Sequence, residues 1–385
     1  MIKDKKGKIL VTCPKGIETY LRDELTGLGY PVISGSTSGV ETEGTLDDTM
    51  KLNLCIRTGQ RVLFFINKFN VLNINEFYRN VKRIRWEDYI YEDGYICVTS
   101  FVDSPLIKDS RFANLKCKDA VVDRFREKYG RRPDSGPDRN SAVIFIYWKD
   151  YECSIYLDTS GETLSKRNYR KIPLEAPMQE ALAASVISAT GWAGYGDFIN
   201  PMCGSGTLAI EAALIALNRP SGLSRKSFGF MHLRGFDRVL WEKIRHESTE
   251  LSTGTLNSRI IATDKSTGAV VAARENAVYA GVENMIEFKV CDFSDTPVPA
   301  RKGIVIFNPA YGERMGEVSK LENTYRKIGD FLKQRCGGYR GYIFTGNLDL
   351  ARKVGLRTKR RIQFFNGKIE CRLLEYELYE GSRKT

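Results

Sequence analysis

From residue 195 onward the chain alternates short apolar runs with stretches of helical periodicity. That alternation leaves few architectures open, because strand–helix repeats close into a mostly parallel sheet with helices on its faces. The runs at 197–199, 259–263, 286–290, 303–307 and 341–344 read as strands. Helical stretches at 207–217, 267–280 and 320–335 lie between them, the second ending at Gly281. Two further runs, 361–365 and 369–378, are joined by Asn366-Gly367. That dipeptide suits a two-residue hairpin, so the sheet is expected to end in an antiparallel pair.

Open sheets of this kind bind ligands at the carboxyl ends of their strands. The first strand runs into Asn200-Pro201-Met202-Cys203-Gly204-Ser205-Gly206-Thr207, which opens a helix. Gly204 and Gly206 let backbone pass close to a ligand, and the helix start offers unpaired N–H groups, so the loop suits a phosphate or an amino-acid carboxylate. It lacks the GxxxxGKS/T pattern of a P-loop. It also lacks GxGxxG, and Asp264 lies far beyond the spacing of a dinucleotide fingerprint. Asp264, after the second strand, can accept both hydroxyls of a ribose. Asp292, after the third, can accept from an adenine amino group, with Phe293 beside the ring. One Asp after a strand is more often a turn or helix cap; the three sites in register are a more specific signal.

The fourth strand runs into Asn308-Pro309-Ala310-Tyr311-Gly312-Glu313-Arg314. Methylating an exocyclic amine requires its nitrogen lone pair to point at the methyl donor. Oxygen acceptors that hold the N–H groups do that aiming. Asn308 Oδ1 and the Pro309 carbonyl are the natural pair, and Tyr311 can stack on a base splayed out of its helix. No strong base is needed beforehand, and the chain has only two histidines.

The first 160 residues read differently. Residues 1–66 form a small α/β unit. Residues 67–160 form another, with a hairpin at 142–157 turning on Lys149-Asp150, and 161–190 connect the halves. A helix expected over 116–129 carries Lys116, Lys118, Arg124 and Arg126, and Arg131 and Arg132 follow; Lys166, Arg167 and Arg170 lie in the connection. Such a run is commonly a solvated helix face. Its density, the aromatics Phe112, Phe125, Tyr129 and Tyr147, and a net charge of +12 point instead to a polyanionic partner, read here as structured RNA. No run of about 18 apolar residues occurs. Residues 1–8 are charged and lack a signal-peptide core, and the nine cysteines are scattered without a CxxC pair, which suits a reducing cytoplasm and gives no zinc pattern.

Together the loop NPMCGSGT, the acids at 264 and 292, and NPAYGER resemble the motifs of class I methyltransferases acting on base amines. The whole chain is similar to the bacterial THUMP-domain methyltransferases of the RlmL group, which are 23S ribosomal RNA guanine-N2 methyltransferases. The matching residues include 165–170, Ala176-Pro177-Met178-Gln179-Glu180, Gly235-Phe236-Asp237-Arg238 and Asn366-Gly367-Lys368-Ile369-Glu370-Cys371. The resemblance implies an α/β chain of three parts: a ferredoxin-like subdomain over 1–66, a THUMP RNA-binding domain over 67–160, and a Rossmann-like methyltransferase domain over 161–385. It implies S-adenosyl-L-methionine as cofactor and 23S RNA as partner. Asn200 stands where many methyltransferases carry an acid, and Ala310 replaces the second proline of NPPY, which removes a rigid φ and adds a backbone N–H. Two other readings stay open here: an adenine-N6 methyltransferase of DNA or RNA, since proteins of this kind have been labelled so from the NPPY motif, and a non-catalytic RNA-binding assembly factor.

Overall fold

The computed structural model describes residues 6–172, 174, 178–312 and 318–380. They form two compact units. The first takes in the chain up to Cys13, Leu21–Leu164 and Arg225–Glu247. Its strands are β1 (Gly7–Thr12), β2 (Ser34–Ser36), β3 (Gly39–Gly44), β4 (Arg61–Asn70), β5 (Tyr95–Asp103), β6 (Asp134–Ser135), β7 (Ala142–Lys149) and β8 (Glu152–Asp158). All eight belong to one sheet, ordered β2-β3-β1-β4-β8-β7-β5-β6. The division expected between residues 66 and 67 therefore falls inside β4. That strand pairs with β1 through Arg61–Phe64 and with β8 through Leu63–Asn70, so one long apolar strand serves both halves.

The helices Ile74–Arg83 and Ser110–Tyr129 pack on one another. Asn73 Oδ1 accepts from Glu76 N at 3.0 Å and Asp109 Oδ1 from Arg111 N at 2.9 Å, each satisfying an N–H that the helix start leaves unpaired. Asp109 thus starts the second helix six residues before the expected position, and Gly130, at φ +68°, ends it.

The segment 225–247 departs from the expected 161–385 domain. Arg225 is buried, and its guanidinium donates to the carbonyls of Ser160 (3.0 Å), Glu162 (2.9 Å) and Thr163 (2.7 Å). Phe230 N donates to the Thr159 carbonyl at 2.9 Å. Gly229 lies so close to β8 that a Cβ there would be 2.3 Å from the Asp158 carbonyl oxygen. Trp241 closes this patch with its edge or face against Phe228 and Phe230.

The second unit takes in Pro14–Tyr20, Ser165–Ser224 and the chain from Ser248. Its strands are β9 (Phe198–Pro201), β10 (Ile260–Asp264), β11 (Glu287–Val290), β12 (Ile304–Phe307), β13 (Arg340–Thr345), β14 (Arg360–Asn366) and β15 (Ile369–Glu377), ordered β11-β10-β9-β12-β13-β15-β14. The first five are parallel, and β15 runs antiparallel to both β13 and β14. Gly367, at φ +62°, turns the last hairpin. The central strands β9 and β12 are buried along their length, as covered parallel strands must be. Beneath them Phe293, Phe307 and Phe331 meet edge to face, with ring centres 5.9–6.3 Å apart, in a core shared with Tyr325, Ile328 and Leu332 of the helix Val318–Arg335. No helix among the described residues is long and apolar enough to cross a membrane.

In the first unit the buried carboxylate of Glu87 accepts from Arg124 Nε and Nη2 and from Lys128 Nζ, each at 2.7 Å. The hydrogen bonds from Arg124 are the main reason that its pKa is held down, from 4.5 to about 2. A depressed carboxylate contributes stability that is present above pH 4.5 and lost as pH falls through about 2. Glu87→Gln should lower stability at pH 7 by about 1.5–3 kcal/mol and remove that part of the acid limb. Thermal denaturation from pH 7 to pH 2 checks both; an unchanged profile would contradict the assignment.

Candidate functional site

The strand order reverses direction at β9 and β12, which are neighbours and parallel although β10 and β11 come between them in sequence. Such a switch point opens a crevice at the carboxyl ends. Backbone pairing covers only Phe198 with Ile304 and Ile199 with Val305. Beyond it Asn200 Nδ2 donates to the Ile306 carbonyl at 3.0 Å. Asn200 is buried, and its Oδ1 has no hydrogen-bond partner among the described residues. An unmet buried acceptor costs about 1–3 kcal/mol, so this atom has the capacity to take a donor from a ligand.

The glycine loop turns on left-handed residues: Met202 at φ +57°, Gly204 at +55° and Gly206 at +81°. Cys203 N donates to the Thr263 carbonyl of β10 at 2.9 Å, and Gly204 N donates to Asp264 Oδ2 at 3.1 Å. Gly206 precedes the helix Thr207–Ala216 without a side-chain cap, and a Cβ on it would lie 2.8 Å from that of Ala273. Ser205 is buried, its hydroxyl 3.5 Å from Thr207 Oγ1, and Pro201 is buried at the end of β9. Burial raises the Cys203 thiol pKa, so the thiol stays protonated. Two further residues hold this loop: Asn276, which the sequence does not single out, and Arg170, expected on an RNA-facing surface. Asn276, fully buried on the helix Thr267–Ala280, donates to the Ser205 and Ile172 carbonyls at 3.2 Å and accepts from Lys171 N at 2.9 Å. Arg170 Nη2 donates to Thr207 Oγ1 at 3.0 Å and to the Met178 carbonyl at 2.6 Å.

Asp264 uses Oδ1 to accept from Ser266 N at 2.9 Å, so it both caps its own turn and holds the loop, with lone pairs left on each oxygen. Asp292 is exposed. Its Oδ1 accepts from Ser294 N (3.0 Å) and Oγ (2.8 Å), and the bond from the Ser294 N–H holds its pKa below the usual carboxylate range. Phe293, expected beside a ligand ring, is buried in the aromatic core under the sheet.

At the end of β12, Asn308 is partly buried and Pro309 buried. Tyr311 does not stand free: its hydroxyl donates to Asn308 Oδ1 at 2.9 Å and its ring centre lies 6.3 Å from that of Phe344. Burial raises its pKa. Asn347 Nδ2 holds the Tyr311 carbonyl at 3.1 Å, and Tyr325 donates to the Ala310 carbonyl at 3.3 Å. Gly346 leaves room for the ring, since a Cβ there would be 3.2 Å from Tyr311 Cδ2. Glu313 and Arg314 of the sequence motif lie outside the described residues, as do Ala176 and Pro177. Among the described residues no cluster of His, Cys, Asp and Glu could hold a metal.

The expected RNA-facing cations divide. Arg167 is buried, with Nε 3.1 Å from Glu211 Oε1, beside the Tyr169 hydroxyl at 2.9 Å from the same oxygen; it is a core residue and leaves the surface set. Arg170 lies 3.6 Å from Glu180 and is tied to the glycine loop, and Arg124 is committed to Glu87. Lys118, Arg126 and Arg131 pair with Asp119, Asp123 and Glu92. Lys116 lies over the Phe112 ring, while Arg132 and Lys166 are exposed.

A parallel sheet with this reversal, a glycine loop on its central strand and an Asn-Pro turn on the neighbouring strand defines a Rossmann-like methyltransferase fold. A model of the RMKL-like methyltransferase domain matches residues 167–375, one of the RlmL ferredoxin-like domain residues 8–63, and one of the THUMP domain residues 72–158. The chain belongs to the RMKL-like methyltransferase family. It is 35% identical to the ribosomal RNA large subunit methyltransferase K/L of Syntrophotalea carbinolica over 97% of its own length and 54% of that protein. The chain thus spans about half the length of this curated relative. It is 32% identical to a provisionally named RNA methyltransferase of Synechocystis, over 96% of both chains. The crystal structure of SMU.472, a methyltransferase by its description and complexed with SAH, superposes with a TM-score of 0.88 at 26% identity, covering 98% of this chain and all of that one.

The loop geometry carries its own test. Gly206→Ala adds both a left-handed penalty and a close contact, and should cost about 1–3 kcal/mol in urea denaturation. An unchanged midpoint would mean that the loop is held in some other way.

Proposed function

We propose that this chain is an S-adenosylmethionine-dependent methyltransferase that acts on the exocyclic N2 amine of a guanine in structured RNA. The RNA is taken to be 23S ribosomal RNA, in the cytoplasm. The observation that carries the proposal is the pairing of a glycine loop and an Asn-Pro turn at one switch point, in a chain of the RMKL-like family. The residues fit the cofactor. Asn200 Oδ1 is an unmet buried acceptor that would take an N–H donor, and the uncapped helix start at Thr207 would suit an anionic group. Asp264 retains acceptor capacity for ribose hydroxyls, and Asp292 for an adenine amine. When bound, the cofactor supplies an electrophilic methyl group. Asn308 Oδ1 and the Pro309 carbonyl hold the N–H groups of the target amine, so that its lone pair is turned outward. Asn308 Oδ1 keeps a second lone pair while it accepts from Tyr311, so the two roles are compatible. Opening of the Tyr311–Asn308 bond would free the ring to meet the base.

Asp264→Ala should weaken S-adenosylmethionine binding by about 1.5–3 kcal/mol, because it removes the ribose acceptor and the tie to Gly204 together. Calorimetry showing unchanged affinity would contradict the site. Asn308→Ala should keep cofactor affinity and abolish most turnover. The assay is nucleoside mass spectrometry after incubation with labelled cofactor and unmodified 23S RNA. The expected product is N2-methylguanosine. Label found only in N6-methyladenosine would replace guanine by adenine, and full activity of Asn308→Ala would overturn the mechanism.

A further inference from the structure

A cation already matched by a carboxylate of its own chain brings little net charge to a phosphate. It must give up its partner or carry that partner's negative charge along. On the helix Ser110–Tyr129 and the loop after it, Lys118, Arg124, Arg126, Lys128 and Arg131 are all matched in this way. The helix packed against it carries a different set. Arg79 and Arg83 stand one turn apart on Ile74–Arg83, a spacing that brings side chains to the same face. Both are exposed, and neither has an ion-pair partner among the described residues. With Lys82, Arg124 and Glu127 they line a cleft of about 280 Å³ between the two helices. Lys82 Nζ lies 2.5 Å from Glu127 Oε1 at the rim, where Glu127 is two-thirds exposed. Arg124 Nη1 donates to the Lys82 carbonyl at 3.2 Å, which satisfies one of the helix's terminal acceptors. The cleft thus holds two unmatched guanidiniums on a helix end that Arg124 braces.

We propose that Arg79 and Arg83 form a clamp for the phosphodiester backbone of RNA. The fork of each guanidinium suits two phosphate oxygens. The proposal rests on the RNA reading above and names where in the first unit the backbone is gripped. It also moves the main phosphate contacts from the Ser110–Tyr129 helix, which is richer in positive charge, to its neighbour, because all the cations of the richer helix but Lys116 are matched by carboxylates.

The experiment measures the affinity of the full chain for a fluorescently labelled RNA stem-loop over a series of salt concentrations. Each phosphate contact contributes about 0.7–0.9 to the slope of log K against log salt. The double variant R79A/R83A should therefore lower the slope by roughly 1.4–1.8. R79K/R83K, which keeps the charge and loses the fork, should restore most of the slope with weaker binding. K118A/R126A removes the same charge from matched positions and should lower the slope by less than half as much. Unaltered circular dichroism and cofactor affinity show that the variants are folded. A slope unchanged in R79A/R83A, or lowered equally in K118A/R126A, would overturn the clamp while the RNA reading stands. A wild-type chain with no salt-dependent affinity for the RNA would overturn both.

Discussion

Two parallel strands, β9 and β12, touch along only two residue pairs before they part, and one side chain spans the opening. Pro201 has no N–H to continue the ladder, and Asn200 Nδ2 takes over by donating to the Ile306 carbonyl at 3.0 Å. Everything chemical in the second unit hangs from that junction. The glycine loop leaves one strand and the Asn-Pro turn leaves the other, so the spacing of the two loops is set by sheet geometry rather than by loop contacts. An asparagine serves the position well. Its nitrogen ties the strands while its oxygen stays unmet and buried, a polarity that a carboxylate, with acceptors only, could not divide in this way.

The glycine loop shows how much support a short turn needs. Gly204 N reaches Asp264, Cys203 N reaches Thr263, and Asn276 holds the Ser205 carbonyl from the adjoining helix. These partners come from two different chain segments beyond residue 260, so the loop becomes rigid only when the sheet has assembled. Its precision is a tertiary property, although its glycines are visible in the sequence.

The second unit was legible in the sequence where local rules decide. Buried parallel strands are continuous apolar runs, Gly281 ends its helix, and Asn366-Gly367 turns its hairpin. The structure differs where long-range pairing decides. Nothing local says that Arg225 will return to the carbonyls of 160–163, since those acceptors become available only once β8 is placed. Arg167 looked like a surface cation beside Lys166 and Arg170, and only the buried Glu211 on a later helix reveals it as core. Phe293 follows Asp292 in the sequence, yet Asp292 stays exposed as the cap of a short 3-10 turn while Phe293, the first residue of that turn, enters the aromatic core. The basic cluster was legible as charge and not as available charge, because the matching carboxylates come from elsewhere in the chain.

The proposed cofactor site lies at the carboxyl ends of the parallel strands, around the β9–β12 junction. Amide hydrogen exchange of the full chain with and without S-adenosylhomocysteine tests this directly. New protection is expected at 200–207, 264–266, 292–296 and 308–312 alone, with the eight-stranded sheet of the first unit unchanged. Protection centred on other segments, or none at saturating ligand, would contradict it.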